Sequence, residues 1–108
     1  MDAEIVASGG NVFDDLALPD AQARLAKAEL ALRISTIVAD RRLTQTAAAE
    51  ALGVDQPKVS ALMSGRLSGF SIERLMHFLT LLGHDVEIVV RSETTSKAPG
   101  SLTVRRAS

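Results

Sequence analysis

The chain has 108 residues, 46% of them hydrophobic and only 3% aromatic, with a formal net charge of −1. That length suits one domain with a modest core and argues against a second folded unit. With no cysteine, disulfide frameworks and thiolate metal sites are excluded, and a reducing cytoplasm is the expected compartment. No run approaches the ~18 apolar residues of a membrane span, and the acidic start Met1-Asp2-Ala3-Glu4 lacks the basic region of a signal peptide.

The charges are unevenly placed. Asp2, Glu4, Asp14, Asp15 and Asp20 lie in residues 1–20 without a single base, which leaves twelve bases against eight acids, a surplus of +4, for the rest. The part of the chain available to a polyanion is therefore mildly basic.

In chain order, Ser8-Gly9-Gly10-Asn11 precedes a short amphipathic patch, Val12 to Leu18. Pro19 and Asp20 then open a long helix predicted to run to about Arg42, with Leu30, Ile34, Ile37 and Val38 as its core stripe and Arg33, Asp40 and Arg41 toward water. Thr44 is suited to cap a second helix, Gln45 to Leu52, stopped by Gly53. Asp55 caps a third, with Pro57 in its first turn, Val59, Leu62 and Met63 inward, and Gly65 at its end. After Arg66-Leu67-Ser68-Gly69-Phe70, Ser71 caps a fourth, with Ile72, Leu75, Met76, Leu79 and Leu82 as its stripe. The period then changes from helical to alternating: Asp85 to Arg91 reads as a strand with Val86, Ile88 and Val90 on one side. A lone strand leaves its backbone unpaired, so a second copy of the chain is the expected partner.

Two short helices joined by Gly53-Val54-Asp55 have the spacing of a helix-turn-helix. The pattern Thr44-Gln45-x-x-Ala48-Ala49-x-x-Leu52-Gly53-Val54-x-Gln56-x-x-Val59-Ser60-x-Leu62-x-x-Gly65 resembles the phage-repressor-like (Cro/repressor, or Xre) family across about Asp20 to Gly83. Within it, Gln56 to Leu62, Gly65 to Ser71, the trailing strand and the Gly10 to Leu16 opening resemble the HigA-type antitoxins. The resemblance implies a mainly all-α fold: a four- to five-helix repressor-like domain with a short C-terminal β-strand pairing across a dimer. Residues 1–18 are then a flexible acidic arm, 19–91 the DNA-binding domain with its dimerisation strand, and 92–108 a disordered tail.

What the family implies agrees with residue chemistry. A glutamine at the start of a recognition helix, here Gln56, can contact adenine N6 and N7 in a bidentate manner, and Ala61 one turn on suits a thymine methyl. In similar repressors the glutamine at the position of Gln45 braces that residue and touches a phosphate. Lys58, Ser60, Ser64 and Arg66, with Ser68 and Ser71 as weaker candidates, are placed for the backbone. Pro57 is the departure, standing among the base-facing residues where many relatives carry a hydrogen-bonding side chain.

Against these readings stand simpler ones. Taken alone, Gln45 is an ordinary first-turn residue, Arg41 and Arg42 are a solvated helix end, and His77 and His84 are surface positions without metal-ligand spacing. No phosphate loop, nucleophile elbow or metal motif is present, so neither an enzyme nor a cofactor is expected. The implied function is a repressor that binds an inverted-repeat operator as a homodimer and acts as antitoxin to a small basic RelE/HigB-like toxin. A stand-alone regulator and a non-DNA-binding adaptor are the alternatives. Phe13, Asp14, Asp15 and Leu16 are the toxin-binding candidates, since an acidic, apolar arm complements an RNA-cleaving basic protein; the competing role is a brace on the first helix near Leu25 or Leu32.

Overall fold

A run without glycine or proline, rich in alanine and leucine over its first half, Asp20–Asp40, makes the longest element, α1. Its buried side recurs at helical spacing through Ala23, Ala26, Leu30, Ile34, Ile37 and Val38. The computed structural model describes residues 20–92 and 100–107. Three shorter helices follow: α2 over Gln45–Leu52, α3 over Gln56–Met63 and α4 over Ile72–Leu81. α1 and α4 pack along each other, while α2 and α3 pack together and against that pair.

The boundaries follow from capping chemistry. Thr44, Asp55 and Ser71 each sit in extended backbone and accept, through the side chain, the N–H of the residue three positions on: Ala47, Lys58 and Arg74. At the other end one device closes all four helices. A residue with positive φ (Arg42, Gly53, Gly65, Gly83) donates its N–H three residues back, and its successor donates five residues back. This Schellman pair satisfies carbonyls the helix leaves unbonded. α1 is thus stopped at Asp40, two residues short of the expected end, with Arg42 at φ 55° in a place where glycine is usual.

Ile34, Ala48, Val59, Leu62, Phe70, Leu75 and Phe78 are the innermost side chains. Phe70 and Phe78 meet edge to face, ring centroids 6.0 Å apart at 74°. Neither was expected in the core, and Met76, expected there, is only half-buried against it. Phe70 belongs to a loop in the sequence reading; in the fold it plugs the junction between α3 and α4.

Among the described residues no strand forms. Val86 packs against the core, whereas Ile88, Val89 and Val90 are 74%, 63% and 89% exposed. The expected strand at Asp85 to Arg91 thus has no ladder within one copy, and Val86, Ile88 and Val90 do not share one environment. Beyond it, the chain returns to α1: the Leu102 N–H donates to the Gln22 side chain at 2.9 Å, and Val104 packs against the core. Composition alone gives no sign of that return. The arm residues Phe13, Asp14, Asp15 and Leu16 lie outside the described residues; Leu25 and Leu32, offered above as their alternative seat, are both 61% exposed. Among the described residues no helix is long and apolar enough to cross a membrane.

Candidate nucleic-acid interface

Gly53 turns the chain sharply between α2 and α3, which brings the first residues of the two helices side by side. There the Gln56 amide nitrogen donates to the Gln45 side-chain oxygen at 3.4 Å. Both side chains are exposed. The bond is long, and it leaves the Gln56 oxygen and a second amide hydrogen available as an acceptor and donor pair.

Helical geometry, at about 100° per residue, sorts the remaining candidates around α3. Val59 and Leu62 point into the core. Opposite them lies a strip of Pro57, Ser60, Ala61 and Ser64, small enough for another surface to come close. Gln56 and Lys58, two positions apart, stand on the two rims of that strip, about 200° from each other. Pro57 and Ser64 are exposed, whereas Ser60 and Ala61 are half-buried, Ala61 packing against the core edge.

The expected phosphate donors differ in availability. Arg66 and Ser68 are exposed. The Ser64 hydroxyl donates back to the Ser60 carbonyl at 2.8 Å, so it must rotate away before it can donate elsewhere. Ser71 is buried, with its oxygen accepting the Arg74 N–H at 3.0 Å, and it acts as a cap. Lys58 is half-buried and its ammonium sits 5.3 Å from the centroid of Phe70.

Sequence reasoning missed Arg74. Its guanidinium lies 5.9 Å from the Phe70 centroid and 5.4 Å from that of Phe78, on the same ring that holds Lys58. The only signal in the sequence is that an arginine three residues after a helix cap follows a phenylalanine, and its meaning depends on that phenylalanine being buried. Arg41, read as solvated, donates to the Leu82 carbonyl at 2.7 Å. Among the described residues no group of three or more His, Cys, Asp or Glu is arranged to hold a metal ion; His77 and His84 are exposed.

Comparison with known proteins agrees with this geometry. A family model described as a helix-turn-helix domain matches residues 12–91. A solved structure described as belonging to the XRE family of transcriptional regulators is 47% identical, superposes with a TM-score of 0.76, and is matched over 82% of this chain and 100% of its own. No curated protein matches. The capped pair α2 and α3, the glycine turn between them and these matches agree: the chain belongs to the helix-turn-helix domain family, in its XRE branch.

Proposed function

We propose that this protein is a sequence-specific DNA-binding transcription regulator that inserts α3 into the major groove. The observation that carries this reading is the Gln45–Gln56 contact beside an outward strip of small residues. A glutamine held by a neighbouring helix meets an adenine edge with its orientation already fixed, which lowers the entropy lost on binding. Gln56, Pro57 and Ala61 face bases in this reading, and Gln45, Lys58, Ser60, Arg66 and Ser68 face phosphates, with Ser64 joining them after its hydroxyl turns. The similar solved structure, described as a transcriptional regulator, supports the same assignment.

The regulator acts as a homodimer in this reading. Ile88, Val89 and Val90 are exposed in succession, Ile88 and Val90 on one side of the segment and Val89 between Glu87 and Arg91 on the other, and pairing with a second copy covers them. Two copies of α3 then meet half-sites about one helical turn apart, and the operator is an inverted repeat.

The resemblance to HigA-type antitoxins adds a partner, a small basic RelE/HigB-like toxin bound through Phe13, Asp14, Asp15 and Leu16. A stand-alone regulator accounts for every described residue equally well. Two measurements test the proposal. Selection of bound duplexes from a random pool is expected to return an inverted repeat, and a pool with no enriched motif would refute sequence-specific binding. Affinity capture from the native source is expected to recover a small basic protein with the full chain but not with a chain lacking residues 1–18; recovery of none would leave the stand-alone regulator.

A further inference from the structure

The two rims of α3 are braced by different means. On one, Gln56 meets Gln45. On the other, Lys58 and Arg74 both lie on Phe70, 5.3 Å and 5.9 Å from its centroid, and Arg74 also reaches Phe78. The Lys58 ammonium runs close over Gly69, where an added Cβ would meet it at 3.6 Å. Phe70 is 1% exposed, so its ring is a fixed platform, and each cation gains from its negative face.

Two positive groups on one ring also repel each other. Among the described residues neither is ion-paired to a carboxylate; the ion pair seen there joins Arg24 to Asp20. Two cations gathered on one ring, Arg74 exposed and Lys58 half-buried, and joined to no acid among the described residues, suit an oxyanion that reaches both. Ser71, whose cap tethers Arg74 at the start of α4, fixes the backbone from which that guanidinium reaches.

We propose that Lys58 and Arg74 form a two-cation phosphate clamp on the rim of α3 opposite Gln56, gripping the backbone of one DNA strand along one wall of the major groove. A helix with its side chains is about 10–12 Å across and the groove about 12 Å wide, so the rims of an inserted helix face opposite backbone walls. Gln45 then approaches one strand and the clamp holds the other. This clamp rests on the DNA-binding reading above and adds Arg74 to it as a phosphate contact.

The test counts charges. Affinity of the full chain for a random-sequence duplex of about 30 base pairs is followed by fluorescence anisotropy between about 50 and 200 mM NaCl. Each phosphate contact contributes about 0.9 to the slope of log affinity against log salt. Arg74→Gln and Lys58→Met are each expected to flatten the slope by about that amount, the double variant by about twice as much, and Arg74→Lys to restore it. Thermal melting of each variant separates loss of fold from loss of contact, since a merely structural role for Arg74 moves the melting temperature and leaves the slope alone. An unchanged slope for Arg74→Gln, with wild-type binding intact, overturns the clamp and spares the parent reading. Absence of salt-dependent binding by the wild-type chain overturns both.

Discussion

The Arg41 guanidinium donates to the carbonyl of Leu82 at 2.7 Å, which ties the residue just past α1 to the C-cap of α4. A cation at that place satisfies a carbonyl that α4 leaves unbonded and sits at the negative end of its dipole. Arg41→Ala is expected to destabilise the fold by about 1–2 kcal/mol, which lowers the melting temperature by roughly 5–10 °C for a domain of this size. Arg41→Lys keeps the charge without the planar fork and is expected to fall between the two. A melting temperature for Arg41→Ala equal to wild type would show the bond to be idle.

Arg42 poses the opposite case. At φ 55° it holds the left-handed conformation that Gly53, Gly65 and Gly83 occupy at the other three helix ends. A side chain there costs about 1–2 kcal/mol, part of which glycine returns through its freer unfolded state. Arg42→Gly is therefore expected to stabilise the protein by about 0.5 kcal/mol, read as a higher denaturant midpoint. A lower midpoint would mean that the Arg42 side chain makes contacts outweighing its backbone strain.

For DNA binding, Gln56→Ala is expected to weaken a selected operator by roughly 1–3 kcal/mol and to relax preference at one base pair. Gln45→Ala acts partly through Gln56, so the double variant should lose less than the two single losses combined. Strict additivity in anisotropy titrations would separate the two glutamines energetically despite their proximity.

Ile88 is 74% exposed in the single chain, so Ile88→Pro leaves the helical core untouched while removing an N–H needed for pairing. Sedimentation equilibrium should find wild type dimeric and Ile88→Pro monomeric, with helical circular dichroism preserved. A dimeric Ile88→Pro protein would place the interface elsewhere.

Much of the fold is legible in the sequence because its signals are local. Thr44, Asp55 and Ser71 cap as read, and the expected α2, Gln45 to Leu52, coincides with the helix observed, because caps and left-handed stops act within four residues. Phe70, Phe78, Arg41 and Arg74 were not legible in the same way. Phe70 sits between helices, where periodicity says nothing about burial, and once its ring is placed the meaning of Lys58 and Arg74 changes. The Arg41 contact with Leu82 and the Leu102 contact with Gln22 join residues 41 and 80 positions apart, a separation no local pattern encodes. The end of α1 was misjudged because an arginine took the place that glycine usually marks.

The strip formed by Pro57, Ser60, Ala61 and Ser64 touches neither the Gln45–Gln56 contact nor the platform under Lys58 and Arg74. Its two exposed members, Pro57 and Ser64, can be rewritten while the two fastenings that would seat α3 stay as they are. In the proposed reading, address and attachment are therefore interleaved along one eight-residue helix. Pro57 is the base-facing position that is exposed and outside both fastenings, so a lineage changing its target, or a laboratory library, has there a letter to edit without retuning the scaffold, while Ala61 is constrained by its packing against the core edge.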